Sequence, residues 1–182
     1  MTKTLKTCWQ VRTSGIHNSG MFATRKIPAG TAIIEYLGER ISKKESEKRC
    51  LEWDKKARKR GAGLVYVFEL NKKLDLDGNV ENNPAKFINH SCDENCEAVN
   101  DDDRIWIYSK TDIKKGEELT FDYGYSIEHF LDHPCRCGAE NCCGYIVAKD
   151  SRKKLKKLLA DKMPGSAEKK RAKPIKKTKN NY

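Results

Sequence analysis

Apolar and polar residues alternate in short runs along most of the chain, which is the period of a β-strand with one buried face. The first two runs, residues 21–24 and 32–37, flank a Pro-Ala-Gly turn signal at 28–30. After residue 63, five more β-prone segments are separated by Gly, Asn or Asp: LVYVFEL, KLDLDG, EAVN, RIWIYSK and ELTFDY. The pattern predicts a mostly β fold of several small sheets with short helices.

One long helix interrupts these strands. Ser42 and Glu45 have the spacing of a capping box, and helix-forming residues continue from there to a stop at Gly61. Few of those residues are apolar. We therefore expect the helix to lie on the surface with one narrow face against the protein.

Two shorter helical segments are also predicted. Pro84 follows a candidate N-cap, Asn83, which indicates a brief helical turn. Near the end of the chain, apolar residues recur at helical spacing among lysines and predict an amphipathic basic helix: Leu155, Leu158, Leu159 and Met163. After residue 165 apolar residues are almost absent, so disorder is predicted.

The positive charge of the chain is confined to its C-terminal part. The 182 residues carry a formal charge of +11, but residues 149–182 hold 14 Lys or Arg against 3 Asp or Glu, which leaves 23 of each sign before them. This basic tail has four open interpretations: it binds nucleic acid, it carries a nuclear-import signal at 169–173, its lysines enter a site on the same protein, or it only aids solubility.

The cysteines suggest a metal site in a reducing compartment. The N-terminal sequence lacks an apolar signal region, and no run approaches the roughly 20 apolar residues of a membrane span. Without secretion, spaced thiolates bind metal more often than they form disulfides. Cys135, Cys137 and Cys142 are one short of a tetrahedral zinc site, and Cys92 is the natural fourth ligand. Spacing alone leaves Cys96 or Cys143 open as a replacement.

Three motifs occur in a telling order: Asn-His-Ser-Cys at 89–92, GEELTFDYGY at 116–125, and the Cys-x-Cys-x4-Cys segment. Together they resemble the SET-domain protein lysine methyltransferases with a post-SET zinc segment. The resemblance implies a SET fold of β-clip-like small sheets, in which the first two motifs cross in a pseudoknot. About a dozen residues precede the first motif, so we expect a minimal form without a pre-SET domain.

The resemblance divides the chain into four parts: an N-terminal lead (1–11), the SET domain (12–126), the post-SET zinc segment (127–148), and the basic helix with its disordered tail (149–182). Two positions depart from the family pattern. Asn18 replaces a glycine, and because Asn tolerates positive φ the turn should survive. Glu94 replaces a turn-forming proline, with little consequence expected.

The resemblance also assigns candidate roles to individual residues. S-adenosylmethionine is expected to contact the early motif, the Asn-His pair, the catalytic segment and one post-SET residue: His17, Ser19, Gly20, Met21, Tyr66, Asn89, His90, Tyr123 and Ile146. Tyr123 is the implied catalytic tyrosine, and Tyr66 lines the lysine channel beside it. Phe121 occupies a position where the family alternates Phe and Tyr. A phenyl ring leaves space there, so di- or trimethylation is predicted.

The expected function is S-adenosylmethionine-dependent lysine methylation of histone or histone-like tails, with automethylation as a further option. The alternative is a catalytically inactive, zinc-stabilised module that binds chromatin or DNA. We expect an intracellular protein of the nucleus or of a host nucleus, as for a bacterial effector or a viral protein, and otherwise of the cytoplasm. The sequence indicates no membrane partner and no oligomeric state.

Overall fold

The computed structural model describes residues 7–60 and 66–162. Ten short strands are the most frequent regular elements in this part of the chain. They are β1 Trp9–Thr13, β2 Ser19–Ala23, β3 Ala32–Tyr36, β4 Glu39–Ser42, β5 Val67–Glu69, β6 Leu74–Asp77, β7 Asn89–His90, β8 Cys96–Asp101, β9 Arg104–Ser109 and β10 Thr120–Phe121. All seven segments with the alternating pattern contribute a strand. The predicted mostly β class is confirmed.

The strands form four small sheets. Three of these are antiparallel, with the strand orders β1-β2, β3-β9-β8 and β4-β6-β5. The fourth is the parallel pair β7 and β10. Between the sheets lies one hydrophobic core, whose fully buried side chains include Met21, Ile107, Ile113 and Leu119.

Two α-helices match the predicted ones. Helix α1 spans Lys43–Arg60, and the Ser42 hydroxyl accepts a 3.2 Å hydrogen bond from the Glu45 amide, as a capping box requires. Helix α2 spans Arg152–Lys162 and buries Leu155 completely while Leu158 stays exposed. The predicted Met163 and the predicted disordered tail lie outside the described residues. Within those residues, neither helix is long and apolar enough to cross a bilayer.

The turn at Pro84 is confirmed, but its predicted cap works differently. A 3₁₀ helix spans Pro84–Phe87 with Asn83 at the N-cap position, yet the Asn83 side chain does not cap it. Instead, the fully buried amide donates to the Gly78 carbonyl at 2.9 Å and accepts from the Leu37 amide at 3.2 Å. Asn83 therefore ties two neighbouring loops together.

Strand β1 was not predicted, and part of it falls within the segment assigned as an N-terminal lead. Its five residues pair with β2 from Trp9 opposite Ala23 to Thr13 opposite Ser19. Most of its side chains are exposed, and its alternation is limited to Trp9 and Val11 among polar residues. The strand exists because its backbone completes the hydrogen bonding of β2.

Candidate active site

The Asn-His motif and the tyrosine motif lie side by side. Strands β7 and β10 pair in parallel with Asn89 opposite Thr120 and His90 opposite Phe121. About thirty residues separate the two strands in sequence, and the pairing agrees with the predicted crossing of the two segments. Everything else in the site is arranged around this pair.

The first of two cavities beside this pair, termed the polar pocket, contains five predicted cofactor residues: His17, Asn89, His90, Tyr123 and Ile146. Six further lining residues were not predicted: Ile16, Tyr125, His133, Pro134, Cys135 and Arg136. Tyr125 follows Tyr123 by two residues, so strand alternation could have indicated it. No local sequence signal marks His133 or Arg136.

The structure does not bring the other predicted cofactor residues to the polar pocket. Met21 is fully buried in the core, and its carbonyl accepts the Leu119 amide at 2.7 Å. Gly20 packs so closely on Glu118 that a Cβ would lie 2.2 Å from Oε1. Ser19 is behind the pocket, where its carbonyl accepts from Asn89 at 3.0 Å. Tyr66 lines the second cavity instead.

The turn that carries His17 adopts the geometry expected from the sequence. Asn18 has φ of 35°, in the left-handed region that Asn tolerates better than most residues. Its side-chain nitrogen lies 3.3 Å from Nε2 of His17. The replacement of glycine by Asn18 is therefore compatible with the turn.

A hydrogen-bond network missed by the sequence analysis orients Asn89. Its amide nitrogen donates to Glu118 Oε1 at 2.7 Å, to the Ser19 carbonyl at 3.0 Å and to Ser14 Oγ at 3.2 Å. Ser14 Oγ in turn donates to the Glu118 carboxylate. These contacts commit both N–H groups of the amide, so Asn89 has its carbonyl oxygen left to offer a ligand.

The second cavity, termed the aromatic channel, has a volume of about 180 Å³. It is lined by Tyr36, Tyr66, Val67, Phe68, Glu69, Ala85, Lys86, Ile88, Phe121, Tyr123 and Tyr125. Neighbouring rings contact each other, with centroids 5.8 Å apart for Phe68 and Phe121 and 5.0 Å apart for Phe121 and Tyr123. The three predicted catalytic residues, Tyr66, Phe121 and Tyr123, all lie in its wall.

Tyr123 belongs to both cavities and is held at two points. Its hydroxyl donates to the Ile88 carbonyl at 3.0 Å, and its amide donates to Nδ1 of His90 at 3.2 Å. Burial raises the pKa of the Tyr123 phenol well above its usual value near 10. The phenol is therefore neutral at physiological pH, and its oxygen can accept a hydrogen bond while its proton is donated to Ile88.

His90 connects the tyrosine to the cysteines. Because Nδ1 accepts from the Tyr123 amide, we assign the ring proton to Nε2, which lies 3.5 Å from the Cys92 sulfur. Burial lowers the pKa of His90 to about 4, an effect that the Asp122 carboxylate opposes. The imidazole is therefore neutral and can donate to a thiolate.

The four cysteines predicted as a metal site converge. The sulfurs of Cys92, Cys135, Cys137 and Cys142 all lie within 4.8 Å of one another, with 4.0 Å between those of Cys92 and Cys135. Tetrahedral zinc with Zn–S bonds of about 2.3 Å places its sulfurs about 3.8 Å apart. A hydrogen bond from Cys135 lowers the pKa of the Cys142 thiol to about 5, whereas the same hydrogen bond raises the pKa of Cys135 and burial raises that of Cys92 to about 12.

The two alternative ligands lie elsewhere. Cys96 is buried in the hydrophobic core, and burial raises the pKa of its thiol to about 12. The Cys143 thiol contacts the Tyr145 carbonyl at 3.3 Å. Of the possibilities that spacing left open, the geometry therefore favours Cys92 and Cys142.

Comparisons with known proteins agree with this geometry. The family model described as SET domain matches residues 18–124. The chain is 41% identical over 139 residues to the H3 lysine-4 specific histone-lysine N-methyltransferase of Saccharomyces cerevisiae, an alignment that covers 73% of this chain and 12% of the relative.

Animal proteins give similar values. A histone-lysine N-methyltransferase of Caenorhabditis elegans is 41% identical over 138 residues, which cover 73% of this chain and 9% of the relative. A histone-lysine N-methyltransferase of Homo sapiens is 39% identical over 148 residues, or 79% of this chain and 7% of the relative. The chain thus spans only a small part of the curated relatives it matches. The match of the family model and the paired motifs agree, and the chain belongs to the SET-domain family.

Proposed function

We propose that this protein is an S-adenosylmethionine-dependent protein lysine N-methyltransferase that acts on histone tails and contains one structural zinc ion. The observation that carries the proposal is that the polar pocket and the aromatic channel share Tyr123 and Tyr125. A methyl donor in one cavity and an amine in the other would meet at these rings. The names of the relatives support the choice of lysine and histone.

The polar pocket has the groups needed for the donor. When bound, S-adenosylmethionine would supply a sulfonium methyl group whose carbon a neutral amine attacks: a C–N bond forms, the C–S bond breaks, and its electron pair leaves with the sulfur. The free carbonyl oxygen of Asn89 suits the donor's ammonium group. Ile146 and the backbone at His17 provide apolar and polar contact surfaces for the rest of the molecule.

The aromatic channel has to deliver lysine as a neutral amine. Removing the proton at pH 7.4 from an amine of pKa ~10.4 costs about 4 kcal/mol. Tyr123 stays protonated, so it orients the amine rather than deprotonating it. Desolvation between rings such as those of Tyr66 and Phe121 lowers the pKa of the amine, and the proton leaves to solvent. The same rings attract the cationic product by ~0.5–2 kcal/mol each.

The number of methyl groups transferred follows from Phe121. Its ring lies in the channel wall beside Tyr123, and it has no hydroxyl to occupy space or hold a water molecule. A partly methylated amine therefore has room to rotate and present its lone pair again. We infer that the protein makes di- or trimethyllysine.

The cysteine cluster fits a structural rather than a catalytic zinc ion. Four sulfurs fill a tetrahedral coordination shell and leave no open position for water or substrate. Cys135 also lines the polar pocket, and His90 can donate to Cys92 from the other side. The cluster would thus hold the wall of the cofactor site in place.

Methyl transfer from labelled S-adenosylmethionine tests the proposal. Purified full-length protein is incubated with core histones and with histone H3 tail peptides, and mass spectrometry counts the methyl groups on each lysine. Control peptides carry arginine in place of the lysine that is methylated. The expected result is di- or trimethylation of a histone tail, a substrate that the protein would meet in a nucleus.

The same experiment tests the remaining possibilities. Label on the enzyme itself would support automethylation of its lysines. Zinc and cofactor binding with no label on any histone would refute the histone proposal and, with no label on the enzyme either, would favour the inactive binding module.

A further inference from the structure

Arg152 is the first residue of helix α2 and lies outside the part of the chain that the family model matches. Its side chain is only 8% exposed. Nε donates to the Val147 carbonyl at 3.2 Å, and Nη1 donates to the Cys92 carbonyl at 2.7 Å. Nη2 makes an ion-pair contact of 2.8 Å with Asp122 Oδ2. One guanidinium group therefore joins three separate segments.

Each of the three segments belongs to the proposed site. Cys92 is one of the four clustered cysteines. Asp122 immediately precedes Tyr123 in the chain, and Val147 immediately follows Ile146. Arg152 does not line the polar pocket, but each of its partners is in a lining segment or next to one. Its action on the site would therefore be indirect.

The neighbouring residues strengthen the same connection. The Lys149 amide donates to Asp122 Oδ2 at 2.9 Å, and the Ala148 amide donates to the Tyr125 carbonyl at 2.9 Å. Residues 148–152 thus form three contacts with residues 122–125. The segment that carries the catalytic tyrosine rests on the start of α2.

The geometry of these contacts is specific to arginine. A buried cation needs nearby acceptors or opposite charge, and here Nε and Nη1 donate hydrogen bonds while Nη2 lies in ion-pair contact with the Asp122 carboxylate. A planar fork can serve three partners at fixed angles, whereas a lysine ammonium on a flexible stem cannot. Fully buried Leu155, one turn further along, anchors the helix beneath.

We propose that Arg152 is a positioning residue that fixes the cysteine cluster and the Asp122–Tyr123 segment relative to each other, so that helix α2 holds the cofactor pocket in its binding geometry. The inference rests on the proposed function for the identity of the cofactor and the metal. It predicts that loss of the guanidinium weakens zinc and cofactor binding more than it disturbs the aromatic channel, where the Tyr123 hydroxyl is also held by the Ile88 carbonyl.

The test compares Arg152→Met with Lys154→Met in the full-length protein. Lys154 is exposed on the same helix, so its replacement controls for a changed charge and an added methionine. The readouts are the rate at which a chelator removes zinc, the Kd of S-adenosylmethionine by calorimetry, and the KM of a histone peptide. Arg152→Met should raise the zinc-release rate and the cofactor Kd by about tenfold each, with the peptide KM within about twofold. Lys154→Met should change none of them by more than about twofold.

A merely structural role of Arg152 would give a different result. Arg152→Met would then lower the unfolding temperature but leave zinc release and cofactor Kd within about twofold of the control, which overturns the proposal. If this variant does not fold, Arg152→Lys retains the charge and is judged by the same thresholds; the proposal expects it to resemble the Met variant because lysine cannot reproduce the fork. If the wild-type protein binds zinc and cofactor but transfers no methyl group, the proposed function is refuted. The zinc-release rate and the cofactor Kd of Arg152→Met, each relative to wild type, then still test the role of Arg152.

Discussion

The aromatic channel and the polar pocket meet at Tyr123, yet they are built in different ways. The channel is continuous with the hydrophobic core, since Tyr36 and Phe121 belong to both. Its walls are rings in direct contact. The polar pocket is assembled from separate segments around residues 16–17, 89–90, 123–125, 133–136 and 146.

Single hydrogen bonds and the cysteine cluster hold these segments together. Examples are the Ile146 amide to the His133 carbonyl at 2.8 Å and the Cys135 amide to the Gly144 carbonyl at 2.9 Å. A cavity lined by many apolar contacts keeps its shape when one contact is lost. A pocket whose segments are joined by a few hydrogen bonds and metal ligands loses its shape when one of them is removed. Substitutions should therefore affect the two cavities differently.

Breaking the cysteine cluster should have the largest effect. Cys142→Ser removes a sulfur from the proposed tetrahedral site, and we expect most of the bound zinc to be lost and kcat/KM to fall by about 1000-fold as the pocket opens. Zinc content by mass spectrometry, cofactor binding by calorimetry and the methylation rate measure the change. The core around the channel should keep its circular dichroism signal.

The adjoining cysteine provides a matched control for this experiment. Cys143 is outside the cluster, so Cys143→Ser should retain zinc and keep its rate within about threefold of wild type. Equal loss of zinc in both variants would show that the zinc ligands have been wrongly assigned.

Removing the hydroxyl of Tyr123 should affect the chemistry without opening the pocket. Tyr123→Phe loses the hydrogen bond to Ile88 and the oxygen that orients the amine, so kcat should fall roughly 100-fold. The cofactor Kd should change by less than about threefold because the ring remains. Tyr108→Phe, on β9 and away from both cavities, is the control. If kcat of Tyr123→Phe equals that of the wild type, the Tyr123 hydroxyl has no role in methyl transfer.

Adding a hydroxyl at Phe121 should change the product rather than the first transfer. The side chain is 5% exposed and packed against Phe68 and Tyr123, so Phe121→Tyr fills space in the channel. Transfer to monomethyllysine should slow by about tenfold, while transfer to unmodified lysine should stay within about threefold. Mass spectrometry of peptides over time separates the steps, with Phe130→Tyr outside both cavities as control. An unchanged product distribution would refute the role of Phe121.

The two regions also differ in how far the sequence predicts them. The channel strands β5 and β10 lie within short β-rich segments that the sequence marks, LVYVFEL and ELTFDY, even though both residues of β10 are buried. The convergence of the four cysteines could be predicted because closely spaced thiols in a chain without a signal peptide bind metal more often than they form disulfides. Local pattern was sufficient for both.

Sequence reasoning failed where a role depends on partners distant in the chain. Glu94 was considered only as a substitute for a turn residue, and its contact with Lys110, made by a side chain that is 6% exposed, was not predicted. Glu118 and Arg152 likewise have no local signature, because their partners lie 29 to 104 residues away for Glu118 and up to 60 for Arg152. Contacts of this kind hold the segments of the polar pocket together. The residues that line it were therefore harder to predict than those that line the channel.

The smallest expected effect concerns the turn at the edge of the polar pocket. Asn18 has positive φ, and glycine adopts that conformation without steric cost, so Asn18→Gly relieves local strain. The gain is partly offset because glycine loses more chain entropy on folding, and we expect a net change in unfolding free energy of about 0.5 kcal/mol or less. Thermal unfolding and the cofactor Kd measure it, with the Kd within about twofold because the adjacent His17 keeps its place. A tenfold gain in cofactor affinity would instead mean that this turn, rather than the cysteine cluster, limits the formation of the pocket.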